Sequence, residues 1–182
     1  YIELGVAEQN MATVASGLAN YGKIPFISSY AAFSPGRNNE QIRTTVSLSQ
    51  LPVKIGGAHA GVSVGPDGAT HQALEDIALM RVQPNMTVLV PCDAVEARKA
   101  TFAAAFYDGP VYIRFGREKT PVFTTEKTPF EIGKAIVLRE GKDITIVGCG
   151  ALLYNALVVA EELSQEGVEA EVINSHSVKP LD

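Results

Sequence analysis

Short runs rich in β-branched residues alternate with longer segments of helical periodicity, and this alternation restricts the fold more than any other feature. The predicted strands are residues 24–28, 53–56, 87–90 and 111–115. The predicted helices are residues 8–19, 37–49, 71–81 and 93–107. Strands separated by helices normally pair in parallel. The pattern therefore predicts an α/β fold of three layers, a parallel sheet with helices on both faces.

A change of composition divides the chain. Residues 119–130 are rich in Thr, Pro, Lys and Glu, which is typical of a linker. Beyond it, a buried strand at 144–147, an amphipathic helix at 152–166 and a strand at 168–173 predict a βαβ unit. We therefore expect one domain at 1–118, a linker at 119–130 and the first part of a second α/β domain at 131–182. Residues 1–5 resemble the end of a strand, and both chain ends look like cuts through a larger protein.

Composition excludes several classes of function. The net charge is −5 and no run of Lys or Arg occurs, so the electrostatic signature of nucleic-acid binding is missing. No apolar run reaches membrane-spanning length, and no signal-peptide pattern opens the chain. The two cysteines, Cys92 and Cys149, lack metal-ligand spacing and read as buried thiols of a reducing compartment. We expect a soluble cytoplasmic protein.

A glycine-rich loop at 59–72 carries two of the three histidines. His59 and His71 flank a Gly-Pro-Asp-Gly turn signal that contains Asp67. Such a loop at the carboxyl end of a parallel strand can converge on one small polar substrate. An ordinary turn, with Thr70 or His71 capping the next helix, explains the residues equally well. A metal site is disfavoured because no third ligand has recognisable spacing.

Three further residues are candidates that the local pattern alone leaves open. Glu8 begins a helix directly after a predicted strand, where a carboxylate is favourable at any surface helix. Tyr30 and Phe33 follow the next strand, and aromatic residues there are more often core than ligand platform.

Four segments together resemble the transketolase family over essentially the whole length, in particular the C-terminal subunits of split transketolases. The first is Gly5-Val-Ala-Glu8-Gln-Asn-Met11, and the second is the loop from His59 to Gln72. The third comprises Ser29-Tyr-Ala-Ala-Phe33 and Arg37-Asn-Asn-Glu-Gln-Ile-Arg43, and the fourth is the tail Asn174-Ser-His-Ser-Val-Lys-Pro-Leu-Asp182.

The resemblance implies the pyrimidine-binding domain of the thiamine diphosphate-binding fold, followed by the start of a transketolase C-terminal domain. Glu8 would hydrogen-bond the pyrimidine ring nitrogen of thiamine diphosphate and would need a dry site to hold a proton. Tyr30 and Phe33, extended by Ile27, would form the dry wall against that ring.

The resemblance also implies roles for the loop. His59 and His71 would contact the sugar and move protons, and Asp67 would accept a hydrogen bond from a substrate hydroxyl. The reaction would transfer a two-carbon ketol unit between sugar phosphates. Val90 stands where single-chain transketolases carry an arginine for the substrate phosphate, so Arg37 or Arg114 would bind the phosphate instead.

The resemblance implies a partner as well. An N-terminal subunit or domain would bind the diphosphate and its magnesium or calcium ion, with the cofactor between subunits of a homodimer or heterotetramer. Two enzyme alternatives share the fold: 1-deoxyxylulose-5-phosphate synthase and the beta subunit of a 2-oxo-acid dehydrogenase. An alternative of another class is a non-catalytic assembly module.

Overall fold

The computed structural model describes all 182 residues. The chain folds into two compact units. The first unit comprises Tyr1–Val88 and Ala104–Glu118, and the second comprises Leu89–Ala103 and Lys119–Asp182.

A parallel sheet forms the centre of the first unit. Its strands are β1 (Phe26–Tyr30), β2 (Lys54–Ala58), β3 (Thr87–Leu89, which begins in this unit) and β4 (Val111–Arg114). Their order is β1-β2-β4-β3, and β2 pairs in parallel with both β1 and β4. Central β4 is buried over Val111, Tyr112 and Ile113, as expected for a parallel strand covered on both faces. The predicted α/β class is confirmed, with strand bounds shifted by one or two residues.

Helix α1 (Glu8–Asn20) follows from its sequence. A stripe of small residues is buried along it, namely Ala12, Ala15, Ser16 and Ala19. Gly22 adopts a φ of +77° beyond its end, a conformation in which glycine carries no steric cost. Helix α2 (Asn39–Gln41) continues as a π-helical segment (Ile42–Ser47), and α3 spans Asp76–Val82.

Two local predictions were wrong in this unit. The helix predicted at 71–81 begins only at Asp76, because residues 71–75 form turns and an isolated bridge that close the preceding loop. Thr70 therefore caps no helix, and its Oγ1 lies 2.8 Å from Nδ1 of His71 instead. Residues 1–5 form no strand, and Glu3 makes local bonds to Tyr1 and Gly5.

The second unit contains the predicted βαβ arrangement. Its elements are the start of α4 (Ala94–Phe106), β5 (Ile136–Arg139), β6 (Ile144–Gly148), α5 (Leu152–Gln165), β7 (Ala170–Asn174) and β8 (Ser177–Lys179). β6 and β7 are parallel and joined through α5, whereas the unpredicted β5 pairs antiparallel with β7. β6 was predicted to be buried but is largely exposed, since it is an edge strand and only Ile146 packs against the core.

Asp93 joins two segments of the second unit. Its Oδ1 accepts the Glu96 N–H at 2.9 Å, which caps α4 as predicted, and its Oδ2 accepts the N–H groups of Phe123 and Thr124. Burial acts to raise the pKa of Asp93, but these hydrogen bonds outweigh it and lower the pKa. Of the two predicted buried thiols, Cys92 is buried and Cys149 is half-buried.

Candidate functional site

The sequence-predicted residues lie around the carboxyl ends of two neighbouring strands. Tyr30 is the last residue of β1, and His59 directly follows the last residue of β2. Glu8 begins α1. Because parallel strands end at the same edge of the sheet, residues far apart in sequence meet there.

Four rings form one cluster, which we call the ring cluster: Tyr30, Phe33, His59 and His71. The imidazole of His59 stacks on Tyr30 with centroids 4.2 Å apart and an interplanar angle of 12°. Phe33 lies nearly parallel to Tyr30 at 6.2 Å, and His71 meets Phe33 edge-on at 5.0 Å. Nδ1 of His59 is buried without a hydrogen-bond partner. The two imidazoles thus lie against the same aromatic pair.

Backbone contacts close the glycine-rich loop and bring its ends together. Ala60 bridges Ala73, and the N–H of Gly61 donates to the Ala73 carbonyl at 2.8 Å. At the tip, the Gly68 N–H donates to the Gly65 carbonyl, which is the turn that the sequence predicts. Asp67 is exposed on that turn, so the structure does not bring it into the ring cluster.

Glu8 is connected to the ring cluster through Arg37. Glu8 is only 7% exposed, and its Oε2 accepts a hydrogen bond from Nη1 of Arg37 at 2.9 Å. The Arg37 guanidinium lies 4.8 Å from the centroid of the Phe33 ring. The Glu8 carboxylate is thus both buried and paired with a guanidinium.

A tight turn after β1 positions both Phe33 and Arg37. The Tyr30 carbonyl accepts the N–H groups of Phe33 and Ser34, and the Phe33 carbonyl accepts the Arg37 N–H. Buried Asn38 donates its amide to the Glu8 carbonyl and to Ser34 Oγ.

Gly36 and Asn38 are site-forming residues that the sequence does not single out. A Cβ at Gly36 would overlap the Ala32 carbonyl oxygen, so the turn requires glycine there. The Ser-Pro-Gly signal could have revealed the turn, whereas nothing local identifies the role of Asn38.

Two arginines lie beside the loop. Arg114 donates from Nε to Oδ2 of buried Asp76 at 2.9 Å, and its Nη2 would be 3.2 Å from a Cβ at Gly61. The guanidinium of Arg117 lies so close to Gly65 that a side chain there would overlap it. The sequence does not single out Arg117 and Asp76. Their positions beside the loop depend on how the loop folds back, which no local pattern records.

Glu8 also borders a cavity of about 430 Å³, lined by residues 1–5, one face of α1 and residues 25–29, including Ile27. That lining contains none of the four rings. We place the candidate chemistry on the side of the rings, because both imidazoles lie there and the cavity offers no proton-transfer partner beyond carboxylates, hydroxyls and a terminal tyrosine. Ile27 is buried but belongs to the cavity wall.

No three His, Cys, Asp or Glu side chains come together as a metal site. None of the helices has the length and apolar character needed to cross a membrane.

Residues 1–122 match the family described as "Transketolase, pyrimidine binding domain", and residues 133–182 match "Transketolase, C-terminal domain". A 6-deoxy-6-sulfo-D-fructose transketolase subunit from Clostridium is 44% identical over 181 residues, all of this chain and 56% of that protein. An apulose-4-phosphate transketolase subunit from Phocaeicola vulgatus is 39% identical over 183 residues, all of this chain and 59% of that protein.

A solved structure described as "Split gene transketolase, inactive beta4 tetramer" superposes with a TM-score of 0.92 at 48% identity. The match covers all of this chain and 58% of that one. The chain thus spans a little over half the length of these relatives. With both of its segments matched by transketolase domains and its fold shared with a solved transketolase, this chain belongs to the transketolase family.

Proposed function

We propose that this chain is the pyrimidine-binding and C-terminal portion of a thiamine diphosphate-dependent transketolase that transfers a two-carbon ketol unit between sugar phosphates. The observation that carries the proposal is a buried carboxylate, Glu8, joined through Arg37 to a cluster of two aromatic rings and two imidazoles. Family membership supports the same reaction class.

The residues present suit an aminopyrimidine ring. Such a ring needs flat apolar walls and an acid or acceptor at its edge, which Tyr30, Phe33 and Glu8 would supply. When bound, thiamine diphosphate supplies the nucleophilic carbon for cleavage of the ketose. The chain's own contribution is to orient the ring and to exchange a hydrogen bond at its nitrogen through Glu8.

The two imidazoles would handle the substrate. His59 offers a buried Nδ1 without a partner, and His71 lies against the same aromatic pair. Neutral imidazole both accepts and donates protons, which suits breaking and re-forming a carbon–carbon bond next to a hydroxyl. Asp67 would accept a hydrogen bond from a substrate hydroxyl when the sugar contacts the tip of the loop.

Substrate phosphate would be bound by the arginines beside the loop. Arg114 and Arg117 both lie against the glycines of the loop, and guanidinium groups suit phosphate oxygens. Arg37, the other sequence-based candidate, pairs with Glu8, and Arg114 pairs with Asp76 while its Nη2 also lies beside Gly61. The Clostridium and Phocaeicola relatives are named for two different sugars, so pentose phosphates are not the only class of substrate to consider. They are the substrates to test first.

The proposal includes a partner polypeptide. An N-terminal subunit or domain would bind the diphosphate and its magnesium or calcium ion, with at least two such pairs in the assembly. We also propose a cytoplasmic location. The solved relative that consists of beta subunits is described as inactive, which agrees with a chain that needs its partner.

The test is Glu8→Gln in the reconstituted complex, assayed for ketol transfer from xylulose 5-phosphate. Loss of the carboxylate should lower kcat by about 10²- to 10⁴-fold, the range of a proton-transfer group, with the complex still assembled. The control is Glu3→Gln, because Glu3 is a second carboxylate on the same cavity wall but is exposed.

Unchanged turnover in the Glu8→Gln complex would refute the proposal. A variant that instead fails to associate or unfolds would favour the non-catalytic assembly module. Turnover with pyruvate in place of the ketose would favour the synthase or the 2-oxo-acid dehydrogenase.

A further inference from the structure

We infer that Arg37 is a positioning residue for Glu8: its guanidinium holds Oε2, so that Oε1 alone is presented to the ring nitrogen of the cofactor. This inference rests on the proposed function and assigns Arg37 a role other than binding substrate phosphate.

The Glu8 carboxylate is held at one of its two oxygens. Nη1 of Arg37 lies 2.9 Å from Oε2 of Glu8, and Oε1 makes no hydrogen bond. The Glu8 side chain is 8% exposed, and Oε1 is not sealed from solvent, so a ligand can reach it. A carboxylate fixed at one oxygen and unoccupied at the other has a defined direction for a second hydrogen bond.

Arg37 is itself restrained. Its guanidinium lies over the Phe33 ring at 4.8 Å, and its backbone N–H donates to the Phe33 carbonyl. Stacking on an aromatic face and a planar donor fork restrict a long side chain that is otherwise 49% exposed. Phe33, which would pack against the cofactor ring, therefore also restrains Arg37, the residue that orients the Glu8 carboxylate.

The experiment compares Arg37→Met, Arg37→Lys and Arg98→Met in the reconstituted complex. Arg98 is the matched control, since it also pairs with a glutamate, Glu126, and lies over a phenylalanine ring, that of Phe102. Each variant is assayed with two ketol-donor substrates, a ketose phosphate and the same ketose without its phosphate. We expect Arg37→Met to lower kcat at least about tenfold with both donors while KM changes less than about twofold, as for loss of an interaction made only in the transition state. Arg37→Lys should recover part of the loss, and Arg98→Met should leave both constants unchanged.

Two results would overturn the inference. One is a rise of KM confined to the phosphorylated donor, which would make Arg37 a phosphate ligand. The other is unchanged kcat in Arg37→Met.

A second measurement needs no activity and separates this inference from the proposed function. Urea unfolding midpoints of the full chain are compared for Glu8→Gln, Arg37→Met and the double variant. We expect the double variant to unfold no earlier than the less stable single variant, because the two residues stabilise the chain only through each other. If the shifts in unfolding midpoint of the two single variants add up in the double variant, the Arg37–Glu8 pairing is refuted even when the complex is active. If the wild-type complex shows no ketol transfer, only the proposed function is refuted.

Discussion

His59 shows how a single residue can be held in an unfavourable conformation at a site. Its φ is +55°, a left-handed conformation that costs a residue with a Cβ about 1–2 kcal/mol. Its ring is stacked on Tyr30, a contact that offsets part of the cost. The imidazole keeps a buried nitrogen without a partner. The strained backbone therefore holds a group that is available to bind a ligand.

Replacing His59 by Gly and by Ala separates strain from chemistry. Both variants lose the stack and the imidazole, so both should lose ketol transfer to a similar extent. Only Gly relieves the backbone strain, so His59→Gly should be about 1 kcal/mol more stable than His59→Ala, the reverse of the usual order. Urea unfolding of the two variants measures the difference. An Ala variant as stable as the Gly variant would show that the left-handed conformation is not strained.

At the scale of elements, β2 is anchored at its first residue by a buried lysine. Lys54 is fully buried and donates from Nζ to the carbonyls of Tyr107 and Gly109 at 2.7 and 2.6 Å. Both carbonyls belong to the segment before β4. The bonds therefore hold that segment against the start of β2, the strand with which β4 pairs. The cost is an ammonium group out of water, and this burial lowers the pKa of Lys54 from 10.5 to about 8.

This lowered pKa predicts a pH dependence of the free energy of unfolding. Below pH 8 both states carry the charge, and the folded state bears the full cost of burying it. Between pH 8 and 10.5 only the folded state releases the proton, so stability rises with pH, by up to about 3 kcal/mol in total. Lys54→Met removes this rise but keeps all other titrating groups. Urea unfolding of both proteins across that pH range and below it gives the difference, and a constant difference would contradict the prediction.

At the scale of the whole molecule, the chain consists of two compact units, and it covers little more than half of its relatives. All members of the ring cluster, together with Glu8 and Arg37, lie in the first unit. The proposed domain bounds of 1–118, 119–130 and 131–182 stay a prediction. In the proposed assembly this chain contributes one wall of a site and the partner contributes the diphosphate end.

The prediction at this scale concerns the chain by itself. Without its partner it should show no ketol transfer, and thiamine diphosphate with magnesium should not shift its melting temperature. With the partner, a cofactor at about 100 times its Kd should stabilise the complex by about 2.7 kcal/mol, visible as a raised melting temperature. Ketol transfer by the chain alone would refute the requirement for a partner.

The elements could be predicted to within a few residues, because apolar periodicity and turn residues act over short distances in the chain. The bounds of α1, β4 and α5 follow from such local patterns. Prediction failed where distant contacts decide: residues 71–75 leave the helical conformation to bridge Ala60, and the antiparallel β5 exists only through its pairing with β7.

The sequence by itself determined the α/β class and the transketolase resemblance, and it offered Glu8, Tyr30, Phe33, His59 and His71 as candidates, because motifs record which chemical groups are present. Only the tertiary structure decided their partners. The Arg37–Glu8 ion pair spans 29 residues and the Asp76–Arg114 pair spans 38. No local pattern encodes such contacts, since they arise from strands that end at one edge of a sheet and from a loop that folds back on it.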